Sequence, residues 1–241
     1  MAENPKISEA TLVNYLGKNL TKSILSRRRG GHPLLIPNFE ALVPGDILLT
    51  KTLKKGKPDR SSVVYIGQHN HTKKSFSDDN ALWTHAMVYV GNMHVVESQL
   101  GRRAIKTFSH REKAAPAGLK VSPITDYSYN FEIVICRLKG LSKEDSHKVA
   151  LYALSNCFID KRTYPRARIV VDTITAKSRP KKLNLAATCS EFSLECLAIG
   201  TGNMTSVYVN VTSGDDDYYP ADFHRSEQFE KIPMTYFQLE T

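Results

Sequence analysis

The chain is predicted to fold as an α+β domain in which helices pack against an antiparallel sheet, and three patterns carry this prediction. Residues 83–98 contain two runs of β-branched and aromatic residues joined by a turn, which is typical of a β-hairpin. The apolar run at 133–136 predicts a central strand over residues 131–138. Residues 142–158 have helical periodicity, with Ser142 as the predicted N-cap.

A further helix is predicted to begin at a cysteine. The segment Thr188-Cys189-Ser190-Glu191 fits a Ser/Thr-x-x-Glu capping box, with Thr188 as N-cap, Cys189 as first helical residue and Glu191 as reciprocal cap. The unsatisfied backbone N–H groups and the macrodipole at a helix start favour thiolate over thiol. We therefore expect Cys189 to be a nucleophile, with its own backbone N–H as an oxyanion donor.

The other three cysteines are interpreted as packing residues. Cys136 lies in the apolar run at 133–136, and Cys157 lies on the apolar face of the 142–158 helix. The predicted C-cap of the nucleophile helix is Gly200. Three apolar side chains recur at helical spacing before it and form the predicted core stripe: Phe192, Cys196 and Ile199. No cysteine has metal-ligand spacing, which favours reduced thiols.

His85 opens the first strand of the predicted hairpin, and Glu97 lies near the end of the second. The two side chains face each other if His85 pairs directly with Glu97. The two residue numbers in each pair of the hairpin then add up to 182, and the turn is centred on Gly91. A two-residue Gly91-Asn92 loop would separate them, so we predict a three-residue or bulged connection with Asn92 in the left-handed region. The carboxylate then orients the imidazole, which acts on the thiol as general base.

Three further residues are candidates for roles near this triad. His94 is the second-ranked base, because the predicted register pairs it with Val88, on the face that His85 does not use. Trp83 and Ser190 are expected to contact the substrate.

Five short segments of the chain together resemble the signature blocks of the circularly permuted papain-like hydrolases, the permuted branch of the NlpC-type cell-wall amidase superfamily, related to lecithin:retinol acyltransferase. The resemblance spans roughly residues 41–233, and the order His85, Glu97, Cys189 is the permuted one. The blocks are Gly45-Asp46-Ile47-Leu48-Leu49, Thr84-His85-Ala86-Met87-Val88-Tyr89-Val90-Gly91, Val95-Val96-Glu97-Ser98, Thr188-Cys189-Ser190-Glu191-Phe192 and Tyr219-Pro220-Ala221-Asp222-Phe223.

The resemblance implies a papain-like sheet with the nucleophile helix packed against it, the same three catalytic roles for Cys189, His85 and Glu97, and a structural role for Asp46 in its turn. Two stretches depart from the compact form of the family, at 51–80 and 103–129. They look like insertions that could reshape the cleft.

The function expected from these residues is a cysteine hydrolase that cleaves an amide or ester through an acyl-thioester. A peptide amide in peptidoglycan is the substrate that the resemblance implies, and a toxin-like effector is a biological role consistent with it. Two alternatives stay open: a lipid acyltransferase or phospholipase with the same triad, and a catalytically silent binding module. No metal or cofactor is expected. An inhibitor or delivery protein is a candidate partner.

Charge and composition limit the expected partners. The chain of 241 residues is 41% hydrophobic, enough for one large core, and 33 Lys+Arg against 24 Asp+Glu give a net charge of +9. That balance favours anionic surfaces, including membranes. The basic clusters at 27–31 and 177–182 lack aromatic residues, which argues against nucleic acid.

The N-terminal region is predicted to be separate from the catalytic domain. Residues 1–30 are interpreted as an amphipathic helix and basic linker, and residues 31–241 as the catalytic domain. The apolar face of a single helix at 8–25 is expected to dock on the domain's own core, with a membrane or partner as the alternative. The polar start of the chain lacks the apolar core of a signal peptide, so we expect synthesis in the cytoplasm and export by a specialised route.

Overall fold

A computed structural model describes residues 5–26, 35–54, 57–60, 64–65, 68, 80–99, 118–127, 131–158, 188–202 and 219–239. The strands in these ranges are β1 (Lys6–Ile7), β2 (Leu35–Pro37), β3 (Ile47–Lys54), β4 (Lys57–Pro58), β5 (His85–Gly91), β6 (His94–Gln99), β7 (Gly118–Pro123), β8 (Phe131–Leu138), β9 (Phe229–Pro233) and β10 (Tyr236–Leu239). The α-helices are α1 (Glu9–Leu16), α2 (Lys18–Ser26), α3 (Lys143–Phe158), α4 (Cys189–Thr201) and α5 (Pro220–Arg225).

The larger of two sheets has the strand order β7-β6-β5-β3-β8-β9, with β4 paired to β3, and all of its pairings are antiparallel. The smaller sheet has the order β1-β10-β2, in which β1 runs parallel to β10. The predicted α+β class is therefore confirmed. The predicted strand at 131–138 is also confirmed, as β8, which pairs on both sides.

Alternating side chains of β5 supply two apolar clusters, one on each face of the large sheet. Ala86 and Val88 belong to the cluster that contains Phe192 of α4. Met87 and Tyr89 belong to the cluster that contains Leu12 of α1. Because successive strand residues point to opposite faces, α4 and the N-terminal segment lie on opposite sides of β5.

Two glycines allow α3 to approach its neighbours closely. A Cβ atom at Gly200 in α4 would lie 2.6 Å from the backbone nitrogen of Val149 in α3. A Cβ at Gly45, whose φ is +91°, would lie 2.8 Å from the carbonyl oxygen of Ser146. The helix α3 therefore rests directly on α4 and on the turn that enters β3.

The carboxylate of Asp46 follows this turn and is buried. It accepts 2.8 Å hydrogen bonds from Nε and Nη2 of Arg137 and from the backbone N–H of Val43. The Arg137 guanidinium also donates to the carbonyl of Ala41. These contacts join the start of β3 to β8, as expected for a structural residue.

The N-terminal region differs from the single helix predicted over residues 8–25. The chain forms two helices, because Gly17 adopts a φ of 77° and caps α1. Leu12 and Leu16 are buried in the second cluster, and β1 pairs with β10. Docking of this region on the domain's own core is therefore confirmed.

The predicted helix at 142–158 is confirmed as α3, with the Ser142 hydroxyl accepting from the backbone N–H of Asp145. Two expectations for α4 are wrong. Ile199 is 42% exposed and lies outside the core stripe. Gly200 is a buried helical residue, and the C-cap is Gly202, in the left-handed conformation.

Several sequence patterns lie outside the described residues. They are the basic clusters at 27–31 and 177–182, the pattern His69-Asn70-His71, which resembles a metal-binding pair only superficially, a helix predicted at 164–175, a weakly alternating segment at 207–211 and an acidic turn predicted at 214–217. Among the helices that the structure describes, none has both the length and the apolar character needed to cross a membrane.

Candidate active site

The capping box at the start of α4 has the geometry that the sequence predicts. The Thr188 hydroxyl accepts from the backbone N–H of Glu191 at 3.2 Å, and the Glu191 carboxylate accepts from the backbone N–H of Thr188 at 2.8 Å. Cys189 is the first helical residue, and its N–H has no acceptor within the helix. The thiol therefore lies at the positive end of the helix dipole, with 3% of the residue exposed.

A β-bulge in the hairpin puts His85 and Glu97 on the same face. Glu97 pairs with Met87, so the two residue numbers of a pair add up to 184 instead of the predicted 182. The register shifts between Tyr89 and Gly91, and Asn92 and Met93 have φ values of 48° and 61°. The predicted bulged connection with a left-handed Asn92 is confirmed, while the predicted register is wrong because the tight turn lies one residue later.

The imidazole of His85 lies between the carboxylate of Glu97 and the start of α4. Its Nε2 donates to Oε2 of Glu97 at 2.7 Å, and Cys189 is near enough to raise the pKa of the ring. Since Nε2 is taken by the carboxylate, Nδ1 is the ring nitrogen that is left for the sulfur. His85 is the first residue of β5, and 19% of its side chain is exposed.

Charge interactions at this site stabilise the imidazolium. Burial lowers the pKa of His85, but the charge and hydrogen bond of Cys189 and the hydrogen bond of Glu97 outweigh burial and raise this pKa from 6.5 to about 10. Cys189 and Glu97 together therefore favour the protonated ring.

Glu97 is fully buried, and several donors hold it as an anion. Oε2 accepts from the Tyr127 hydroxyl as well as from His85, and Oε1 lies 3.3 Å from Nζ of Lys120. Burial raises the pKa of Glu97, but the hydrogen bond and charge of His85, the charge of Lys120 and a hydrogen bond from Ser122 lower it to about 2. The carboxylate can therefore orient the ring at any physiological pH.

Sequence reasoning missed Tyr127 and Lys120, because both belong to the stretch at 103–129 that resembled an insertion. Its described part instead forms β7, which pairs with β6 and puts Lys120 directly opposite Glu97. Tyr127 ends the short 3-10 helix that follows β7, and its ring stacks near that of His85. The sequence could have indicated these residues only if the segment 118–123 had been predicted as an edge strand.

Gln68 is a second missed residue, and it fixes the approach to β5. Its side chain is fully buried; Nε2 donates to the carbonyls of Ala81 and Trp83 at 2.9 Å, and Oε1 accepts from the backbone N–H of Ala221. The amide thus ties the segment before His85 to the helix α5.

His94 lies on the opposite face of β6 from Glu97, as predicted, but it pairs with Gly91 and not with Val88. Its Nδ1 contacts the carbonyl of Asn92 at 2.6 Å. The structure therefore brings His85, and not His94, to Cys189.

The two predicted substrate contacts are both buried. The Trp83 ring stacks on His224 at 5.2 Å between centroids and lies under Nζ of Lys51 at 4.9 Å. The hydroxyl of Ser190 lies 3.4 Å from that of Thr188. Their roles toward a substrate stay predictions.

The remaining cysteines lie in apolar surroundings, as expected for packing residues. Burial raises the pKa of Cys136 to about 12 and that of Cys157 to about 11. Cys196 is fully buried in the cluster beneath α4. In the described ranges, no three or more His, Cys, Asp or Glu side chains are arranged to bind a metal ion.

Comparison of the chain with protein-family models, with curated proteins and with solved structures gives no match.

Proposed function

We propose that this protein is a thiol hydrolase with Cys189 as nucleophile, His85 as acid–base residue and Glu97 as orienting carboxylate. One observation carries the proposal: a single imidazole hydrogen-bonds a buried carboxylate, and its pKa is also raised by the cysteine that begins a helix. This is the arrangement that thiol-dependent acyl transfer requires.

In the proposed reaction the Cys189 thiolate attacks a carbonyl carbon, and the backbone N–H of Cys189 donates to the oxyanion. His85 then protonates the leaving nitrogen or oxygen as that bond breaks, which leaves a thioester and a neutral ring. A water molecule next attacks the thioester and gives its proton to His85. The C–S bond breaks, the product leaves as a carboxylic acid, and the thiolate–imidazolium pair is restored.

The proposed substrate is a peptide amide of peptidoglycan, and what supports it is the resemblance of the chain to the permuted papain-like hydrolases. An acyl lipid is the second candidate, favoured by the net charge of +9. The N-terminal helices give the lipid candidate less support than the sequence predicts, because Leu12 and Leu16 are buried against the protein's own core.

Alkylation with iodoacetamide at pH 7 tests the nucleophile. We expect Cys189 to be labelled at least about tenfold faster than a small free thiol, and His85→Ala to remove this advantage. The half-buried Cys157 provides a control, since Cys157→Ala should leave the fast phase unchanged. Labelling of Cys189 no faster than that of a free thiol would contradict the proposal and leave a binding module.

Substrate assays then separate the candidate activities. Purified peptidoglycan and anionic phospholipid vesicles are incubated in parallel with the protein and with Cys189→Ala, and the products are measured by mass spectrometry. New peptide termini that depend on Cys189 support the amidase, whereas free fatty acid or lysolipid supports the lipid enzyme. If neither product forms, both substrate assignments are contradicted.

A further inference from the structure

Lys120 places a positive charge against the carboxylate that orients the catalytic base. It lies directly opposite Glu97 in the β6–β7 ladder, with Nζ 3.3 Å from Oε1. The lysine side chain is 38% exposed, while the carboxylate is fully buried. The ammonium group can therefore stay hydrated on one side and neutralise a buried anion on the other.

The need for this charge changes during the proposed reaction. In the resting state, the imidazolium of His85 balances Glu97. Once His85 has protonated the leaving group, the ring is neutral and Glu97 has lost that counter-charge. Lys120 is then the cation that remains within 4 Å of Glu97 among the described residues.

A buried carboxylate beside a neutral imidazole tends to take up a proton, because burial disfavours its charged form. A protonated Glu97 would offer Nε2 only a neutral acceptor, and the weaker hydrogen bond would leave Nδ1 less basic and less able to activate water. We propose that Lys120 is a positioning residue that keeps Glu97 ionised in the acyl-enzyme, so that His85 can act as the base in thioester hydrolysis.

Tyr127 has a different role at the same carboxylate. Its hydroxyl donates to Oε2, the oxygen that also holds His85, and so fixes the position of that oxygen. The hydroxyl is neutral, however, and cannot replace a lost counter-charge. The proposed role therefore belongs to the charge of Lys120, and it rests on the thiol-hydrolase function proposed above.

Decay of an isolated acyl-enzyme tests this role. The protein is acetylated with p-nitrophenyl acetate, freed from excess reagent, and followed by intact mass spectrometry between pH 5 and 9. In the unmodified protein we expect the rate of deacylation to rise with pH to a plateau. In Lys120→Met the midpoint should move about one unit higher, so that decay below the midpoint is about tenfold slower while the plateau is unchanged.

Two variants serve as controls. Lys120→Arg keeps the charge and should restore the original midpoint. Lys148→Met removes an exposed lysine that pairs with Glu144 on α3, and it should not move the midpoint. An unmoved midpoint in Lys120→Met, or a plateau that falls without a shift, would overturn the inference and leave Lys120 a purely structural residue. Failure of Cys189 to form any acyl-enzyme would instead contradict the proposed function itself.

Discussion

Asp46 and Glu97 are both buried carboxylates on the large sheet, and they differ in the kind of cation that each one faces. Asp46 is held by the guanidinium of Arg137 and by a backbone N–H. Glu97 is held by His85, whose pKa is also raised by Cys189, and by Lys120. Guanidinium does not lose its proton at any ordinary pH, whereas imidazole exchanges its proton readily.

This difference shows that burial of a carboxylate does not by itself indicate catalysis. Both groups need partners to offset desolvation, and both have them. Only Glu97 is coupled to a group whose proton can move to another atom. The identity of the cation therefore separates the structural acid from the proposed catalytic one, and three predictions test that separation. A fourth concerns the residue opposite His85.

The largest effect is expected for Asp46→Ala, which leaves the Arg137 guanidinium without its carboxylate partner. The free energy of unfolding should fall by about 3–5 kcal/mol, the usual cost of breaking a buried pair by removing one member. Urea denaturation measures this loss. In the fraction that stays folded, the alkylation rate of Cys189 should stay within about twofold of the original, since Asp46 does not contact the triad. A loss below about 1 kcal/mol would contradict the structural role.

The next largest effect is expected for Glu97→Gln, in the reactivity of Cys189. The variant removes the carboxylate that helps to raise the pKa of His85, so the imidazolium and its thiolate partner become less populated. Alkylation of Cys189 at pH 7 should slow by about 30-fold, which corresponds to ~2 kcal/mol. An unchanged rate, with circular dichroism showing a folded protein, would place Glu97 in the same class as Asp46.

A smaller effect is expected in the pH dependence of thermal stability. The pKa of Glu97 is lowered from 4.5 to about 2, so its contribution is present above pH 4.5 and is lost as the pH falls toward 2. The pKa of His85 is raised from 6.5 to about 10, so its contribution is present below pH 6.5 and is lost as the pH rises toward 10. The contribution of the pair to the melting temperature should therefore be greatest between pH 4.5 and 6.5.

Cys189→Ala provides the control for that profile, because the charge and hydrogen bond of Cys189 are the leading causes that raise the pKa of His85. Calorimetry should show a smaller loss of stability on the alkaline side in this variant, with the acid side retained. An alkaline side that is equally steep would mean that Cys189 and His85 are not coupled.

The smallest effect is expected at Thr50, the residue directly opposite His85 in β3. Its hydroxyl oxygen is buried and has no hydrogen-bond partner within the part of the chain that the structure describes. Thr50→Val removes an unsatisfied polar atom and keeps the shape of the side chain, so the protein should gain about 1 kcal/mol of stability by urea denaturation. A loss of stability would show that the hydroxyl has a partner, in contrast to the expectation.

The parts of the site that depend on local interactions could be predicted from the sequence. The capping box of α4 is set by residues three positions apart, and the common face of His85 and Glu97 follows from strand alternation and the turn residues. The strand β8 is centred on a run of four apolar residues at 133–136. Each of these features needs no knowledge of distant contacts.

The remaining features depend on tertiary contacts. Gly200 lies within α4 and does not cap it. The glycine is needed there because a side chain would collide with Val149, and the sequence of the helix does not reveal that requirement. Tyr127 and Lys120 reach Glu97 only because β7 pairs with β6. The hairpin register differs from the predicted one because the tight turn lies at Asn92 and Met93, one residue later than predicted, and an alternating pattern does not fix the position of the turn.

The close contacts of α3 with Gly45 and Gly200 have a consequence for engineering the proposed enzyme. Gly200 lies three turns along the helix that carries the sulfur, and Gly45 lies at the entry to the strand whose Thr50 stands opposite the imidazole. A methyl group at either glycine would push α3 outward and alter the gap between nucleophile and base from a distance. Libraries that aim to tune turnover without touching the reacting groups should therefore include the α3 residues that face these two positions.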